Sequence, residues 1–187
     1  GRGPTLQQAR SAAYAALAAD GVYHPPYDVI RVVDAKGSVL EETLPGEGGR
    51  VLDAEVVRQL TNILSDNVAR APIFGIHNNL TLPDRPAAAK TGTTQDYRDS
   101  WVMGYTPQLA VGVWGGNNDN TPMKGRASGL YVSAPIWNRI MVAGHAKQPV
   151  VAFTPPAPRP PTGKPVLDGV KGGAALKIDR ISGKLAT

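Results

Sequence analysis

Polar and apolar residues alternate along the chain at two distinct periods, and the switches between them mark the elements. Thr5-Leu6-Gln7-Gln8 has the form of a capping box, in which the threonine oxygen accepts from an amide and the glutamine reaches back. Leu6, Ala9, Ala13 and Leu17 follow at helical spacing, and Asp20-Gly21 supplies a left-handed stop. Residues 29–33 and 38–41 flank Asp34-Ala35-Lys36-Gly37 and predict a β-hairpin with a glycine-containing turn. The stretch from Pro45 to Gly49 reads as a loop. Asp53 is expected to cap a second helix with Val56, Val57, Leu60, Ile63 and Leu64 as its stripe. This helix is expected to end between Asn67 and Arg70, before Pro72. Three short strands are predicted at 87–93, 100–105 and 109–114. The connection Thr106-Pro107-Gln108 is short enough to make the last two antiparallel. Ser133 is expected to cap a last helix, with Pro135 in its first turn and Ile136, Trp137, Ile140 and Met141 on its apolar face.

After Gly144 the composition shifts. Seven prolines lie between Pro149 and Pro165, which favours extended polyproline geometry. The expected organisation is one domain at 1–148, a proline-rich linker at 149–165, and a tail at 166–187 too short for its own core. That tail fits the start of a truncated C-terminal module. The first residues, Gly1-Arg2-Gly3-Pro4, lack an initiator methionine and suggest a chain cut from something longer. The fold class expected is α+β, an antiparallel sheet packed by helices.

Composition removes several chemistries. The 187 residues contain no cysteine, which excludes disulfides, iron–sulfur sites, thiolate zinc and a cysteine nucleophile. The 21 glycines and 17 prolines make about a fifth of the chain, below the roughly 25–30% of low-complexity sequence. Net charge is +5, but the charges are scattered, so nucleic acid is not an expected partner. No run reaches the roughly 18 apolar residues of a membrane helix. His24, His77 and His145 form no metal-spaced pair and read as loop or surface residues. Asn117-Asn118-Asp119-Asn120 lacks the spacing, central glycine and terminal glutamate of a calcium loop. No metal and no cofactor are expected. Trp101, Trp114 and Trp137 read as core or sheet-covering residues, and 126–129 as a small basic loop, a solvated surface loop being preferred to one that lines the mouth of a site.

The candidate chemistry lies in Ala87-Ala88-Ala89-Lys90-Thr91-Gly92-Thr93-Thr94. On a strand, Lys90 and Gly92 point one way and Thr91 and Thr93 the other. At a sheet edge Gly92 admits a ligand backbone, because no Cβ blocks it. Lys90 offers a positive charge, and the threonine hydroxyls can donate to a carboxylate. The amide of Thr93 can act as one oxyanion donor. Such a site suits an anionic, peptide-like ligand lying along the strand. A phosphate-binding P-loop is excluded, since Ala89 stands where it needs glycine and a strand follows instead of a helix.

With its neighbours the motif becomes specific. Lys90-Thr91-Gly92-Thr93-Thr94, Arg98-Asp99-Ser100-Trp101, Gly104-Tyr105-Thr106-Pro107, Gly112-Val113-Trp114 and the run from Gly116 to Met123 occur in series. Upstream stand Gly21-Val22-Tyr23-His24-Pro25-Pro26, Asn67-Val68-Ala69-Arg70 and Phe74-Gly75. From about Thr5 to Gly144 the chain resembles the transpeptidase domain of class A penicillin-binding proteins. The resemblance implies a partial serine β-lactamase/transpeptidase fold. It implies an electrostatic and proton-relay role for Lys90, a substrate-binding role for Thr91, Gly92, Thr93 and Thr94, and an oxyanion role for the Thr93 amide. It also implies peptidoglycan stem peptides and β-lactams as ligands, and a membrane-anchored parent at the extracytoplasmic face of a bacterial membrane. Of the family's three signatures only Lys-Thr-Gly is present; no Ser-x-x-Lys occurs anywhere. Ser65-Asp66-Asn67 spells the second signature, but lies on the predicted helix too near Lys90 and is rejected as catalytic. The expectation is a C-terminal half that needs the upstream half for its nucleophile and is inactive alone. The alternative is a non-catalytic module that binds cell-wall peptide.

Overall fold

The computed structural model describes residues 5–44, 46–125, 128–158, 160–164 and 168. The chain divides into two compact units, 1–156 and 157–187. The expected tail at 166–187 lies outside the described residues apart from Asp168, and the linker's Arg159 and Pro165 lie outside them too. Within the second unit the Thr162 amide and hydroxyl both donate to Asp168 Oδ1, at 2.8 and 2.7 Å.

The first unit is built on three antiparallel strands, β5 (Ala88–Thr93), β6 (Asp99–Tyr105) and β7 (Ala110–Gly116), in the order β5-β6-β7. Register pairs Gly92 with Trp101 and Trp101 with Trp114, so side chains sort cleanly onto two faces. One face carries Ala89, Val102 and Val113 and receives α4 (Ser133–His145), whose Trp137 and Met141 are fully buried there. Gly104 makes this possible: a Cβ on it would lie 2.6 Å from Trp137 Cζ2. The opposite face carries Trp101, Met103 and Tyr105 and receives α1 (Leu6–Ala18). There Gln7 Nε2 donates to Gly112 O at 3.0 Å, and Tyr14 meets Tyr105 edge-on.

The remaining elements follow local rules. Thr5 and Gln8 form both bonds of the capping box, and Asp20 and Gly21 take φ of 53° and 91° beyond α1. Two short strands, β1 (Val22–Tyr23) and β4 (Gly49–Arg50), pair with each other. Between them β2 (Arg31–Val33) and β3 (Val39–Glu42) form the hairpin, whose turn is closed by Asp34 Oδ1 accepting from the amides of Lys36 and Ser38. Asp53 caps α2 (Ala54–Ser65) by accepting from the amides of Glu55 and Val56.

Two details depart from expectation. The second helix stops at Ser65, and α3 (Asn67–Phe74) begins at once with Pro72 inside it. Asp66 causes the break, because its extended backbone (ψ 95°) and its side chain, which accepts from Ala69 N, start a new helix. Pro72 is the sixth of the eight residues of α3; it lacks the amide that would bond the carbonyl of Val68, and the helix ends two residues later at Phe74. Ser133 does not cap α4; it is the first helical residue, and its hydroxyl donates to Ser100 O at 2.9 Å. Residues 149–156, at the start of the expected linker, group with the first unit. Phe153 stacks edge-on against Tyr105 at 5.7 Å, and Arg85 donates to the carbonyls of Gln148 and Pro149.

Candidate active site on the edge strand

β5 is an edge strand of its sheet, and its last four residues are Lys90-Thr91-Gly92-Thr93. Its first two residues, Ala88 and Ala89, are buried, so the strand emerges from the core as it reaches Lys90. Small alanines let the helices close on the buried end, and the polar residues begin where the helices no longer cover it. Facing residues show the alternation directly. Lys90 and Gly92 share the α1 face with Met103 and Trp101, while Thr91 and Thr93 share the α4 face with Val102 and Ser100.

A cleft of about 380 Å³ runs along the strand on the α1 side, lined by Arg10, Tyr14, Lys90, Gly92, Trp101 and Met103 together with Thr91, Thr93 and Thr94. Its floor is apolar and its rim cationic. Arg10 Cζ lies over the Trp101 ring, 4.2 Å from the centroid, a cation–π contact. Lys90 Nζ donates to Thr91 O at 2.6 Å, and among the described residues no carboxylate lies within ion-pair distance of it. Burial pushes the Tyr14 phenol above its ordinary pKa. Gly92 contributes the open space: a Cβ there would stand in the cleft, 3.3 Å from Trp101 Cβ.

On the other side of Lys90 and Thr91, a second cleft of about 330 Å³ is lined by Leu64, Ala69, Arg70, Phe74 and Leu80. Arg70 donates to the carbonyls of Leu64 and Asp66 and so fixes the angle between α2 and α3. Desolvation lowers its pKa, partly opposed by Asp66. Ile63 of α2, which lines this cleft, and Val68 and Ile73 of α3 are each more than two-thirds exposed.

Beyond Thr93 the chain makes a tight turn. The Thr94 hydroxyl donates to Asp99 Oδ2 and accepts from Asp99 N, so this candidate is occupied in closing the turn although it lines the cleft. Asp96 and Tyr97 both sit at positive φ, 59° and 54°, a costly arrangement for residues with a Cβ. Met123 N donates to Tyr97 O, and Arg98 Nη1 donates to Asn120 O at 2.6 Å, which tie the turn to the loop after β7.

Four residues have places that sequence reasoning did not assign. Trp101, expected as a core or sheet-covering residue, forms the cleft floor beneath Arg10. Gly129 stands on the loop for which a solvated surface was preferred to the mouth of the site, and it lies on the site: its amide donates to Thr93 Oγ1 at 3.1 Å. Arg126 of that loop lies outside the described residues. His145, expected at the surface, is buried; Nε2 pairs with Thr106 Oγ1 at 2.9 Å and Nδ1 with Met141 O at 2.7 Å. Arg10 carried no motif at all, because its contact depends on α1 crossing the sheet. The Ser65-Asp66-Asn67 triplet is used locally: Ser65 donates to Asn62 O, Asp66 caps α3, and Asn67 donates to Ile76 O.

Comparison with known proteins agrees with this arrangement. Residues 5–142 match the penicillin binding protein transpeptidase domain. Penicillin-binding protein 1A of Mycolicibacterium smegmatis is 35% identical over 183 residues, covering 81% of this chain and 22% of that protein. Penicillin-binding protein 1A of Mycobacterium tuberculosis is 36% identical over 144 residues, covering 70% and 17%. The chain thus spans about a fifth of the length of these curated relatives. Among solved structures, the penicillin-binding protein PonA1 from Mycobacterium tuberculosis superposes with a TM-score of 0.66 at 31% identity, covering 82% of this chain and 43% of that one. Penicillin-binding protein A from the same organism, solved as an imipenem acyl-enzyme complex, shares the fold with a TM-score of 0.60 at 22% identity, covering 74% and 31%. The chain belongs to the penicillin-binding protein transpeptidase domain family, and its relatives place it with the class A penicillin-binding proteins.

Proposed function

We propose that this chain is the substrate-cradling half of a serine D,D-transpeptidase that cross-links peptidoglycan stem peptides and is acylated by β-lactams. The observation that carries the reading is the edge position of Lys90-Thr91-Gly92-Thr93, with Gly92 opening the cleft and both threonines on one face. An extended peptide can lie along the free edge of β5 as an added strand. Thr91 and Thr93 donate to its terminal carboxylate, Lys90 supplies positive charge, and the Thr93 amide is one oxyanion donor.

The reaction needs a nucleophile that these 187 residues do not contain, since no Ser-x-x-Lys is present. In this reading a serine from outside them attacks the D-alanyl-D-alanine amide and forms an ester. The terminal D-alanine leaves as the free amine, and the amine of a second stem then attacks the ester and releases the serine. The exposed apolar side chains of α2 and α3 beside Lys90 support a large upstream partner within the same parent. By family, the parent is membrane-anchored and works on the extracytoplasmic face.

The missing signature also supports a second reading, a module that binds wall peptide without reacting. Labelling with a fluorescent penicillin, read by intact mass, separates the two. The chain joined to its upstream residues should be labelled, and the chain alone should not. Lys90→Ala or Thr91→Ala should abolish the label. No covalent adduct on folded, joined protein would refute the transpeptidase and leave the binding module.

A further inference from the structure

We propose that Gly129 is a positioning residue that turns the Thr93 hydroxyl into a dedicated hydrogen-bond donor for the ligand's carboxylate. This rests on the reading of Thr93 as a carboxylate anchor. A threonine hydroxyl has one proton to give and two lone pairs to receive. The Gly129 amide, 3.1 Å from Thr93 Oγ1, fills one of those lone pairs from the side of the sheet facing α4. The hydroxyl proton cannot point at an incoming N–H, so it turns to the remaining directions. A carboxylate is acceptor-only and takes it there, and a donor that is itself accepting is polarised and donates more strongly.

Position 129 must be glycine for this to work. Its backbone lies flat on β5 and β6, and a Cβ would stand 2.6 Å from Trp101 O, 3.0 Å from Gly92 O and 3.2 Å from Thr91 Cβ. Two of those three atoms are backbone and cannot swing away. The segment is also pinned from behind. Ser100 Oγ donates to Ser128 O at 3.3 Å, and the buried Ser100 and Ser133 hydroxyls lie 2.7 Å apart. Tyr131 N and Val132 N donate to Ser128 O, and Ala134 N donates to Gly129 O, so α4 grows directly from this seat. The amide is therefore held by the helix start and not by the ligand, which makes the donor orientation of Thr93 preorganised.

Two measurements test this. In the 187-residue chain, amide hydrogen exchange at Gly129 is read by NMR in Thr93→Val and Thr93→Ser. Valine removes the acceptor and should speed exchange roughly tenfold, the size of one net hydrogen bond; serine keeps the acceptor and should leave exchange unchanged. In the chain joined to its upstream residues, acylation rates are compared for a penicillin and for its methyl ester, which lacks the charged carboxylate. Gly129→Ala should slow the penicillin roughly tenfold more than the ester, and in a Thr93→Val background it should slow the two ligands alike. Unchanged exchange in Thr93→Val overturns the proposal, as do equal losses on both ligands. A wild-type joined protein that takes no label refutes the transpeptidase reading and the donor role together, while the exchange result separately decides whether the Gly129–Thr93 bond exists.

Discussion

Thr61 and Tyr105 share a hydrogen bond of 2.8 Å between their hydroxyls, with Thr61 5% exposed and Tyr105 not exposed at all. The bond ties α2 to the middle of the sheet, and α2 in turn carries α3 to the flank of Lys90. Tyr105→Phe removes the bond and leaves a buried threonine hydroxyl stranded. The expected loss is about 1–3 kcal/mol, the desolvation penalty of the orphaned group. Thr61→Val strands the phenol instead and should lose a similar amount. The double variant has no polar group left to satisfy, so it should be far closer to wild type than the sum of the singles. The coupling energy is expected at about 1–2 kcal/mol. Urea unfolding of the four proteins at constant m-value measures it. An independent readout is the alkaline titration of Tyr105, whose pKa is raised chiefly by burial and drawn partly back by the Thr61 bond. Thr61→Val should therefore push it higher still. Additive losses, or a downward shift of the phenol, would refute the assignment of this bond as a buried, mutually satisfied pair.

Three further outcomes follow from single contacts. Gly92→Ala meets only Trp101 side-chain atoms, at 3.3 Å and beyond, so thermal unfolding should scarcely move; penicillin labelling of the joined protein should fall on the order of a hundredfold because the methyl occupies the ligand's path. Gly104→Ala drives a methyl into Trp137 at 2.6 Å and Ala88 O at 2.8 Å, and should cost about 1–3 kcal/mol in urea unfolding by overpacking. The Asp119 carboxylate is held below its usual range by the hydroxyl and amide of Thr121. Its ionised form is favoured in the folded state, so its contribution is present above the ordinary aspartate pKa and lost as pH falls through the lower folded value. NMR titration of the side-chain carboxyl in wild type and Thr121→Val should show the midpoint rising in the variant.

Elements whose cause is local were legible in the sequence. The Thr5–Gln8 box, the Asp20-Gly21 stop, the Asp53 cap and the Asp34 turn each need only four or five consecutive residues, and each forms as expected. The three strands were found for the same reason, since alternation and a three-residue connection determine them. The errors fell where a competing partner came from far away. Ser133 has the composition of a cap, but Ser100, 33 residues earlier, takes its hydroxyl. The prolines after Gly144 read as linker, yet Phe153 finds the face of Tyr105, and Arg85 reaches the two carbonyls at Gln148 and Pro149. At Ser133 tertiary contact outweighed a local capping preference worth about a kilocalorie per mole.

The site divides along the same line, and the division explains which residues a sequence can offer as candidates. Lys90, Thr91, Gly92 and Thr93 stand on one strand, so their grouping and their two faces follow from period two alone. What sets their chemistry comes from elsewhere in the chain. Arg10 reaches the cleft because α1 crosses the sheet over Trp101. Gly129 reaches Thr93 across 36 residues because α4 must start beside Ser100. A glycine in a basic loop carries no signal of its own, whereas the absent Cβ becomes meaningful once Trp101 O and Gly92 O are seen to lie beneath it. The motif thus supplies the groups that touch a ligand, and the packing of α1 and α4 on the two faces of one sheet decides how those groups are charged, oriented and exposed. On that reasoning, substitutions that leave Lys90 to Thr93 intact but shift α4, such as Ser133→Ala, should lower acylation of the joined protein by carboxylate-bearing β-lactams more than by their esters. An equal effect on both ligands would show that α4 only stabilises the sheet.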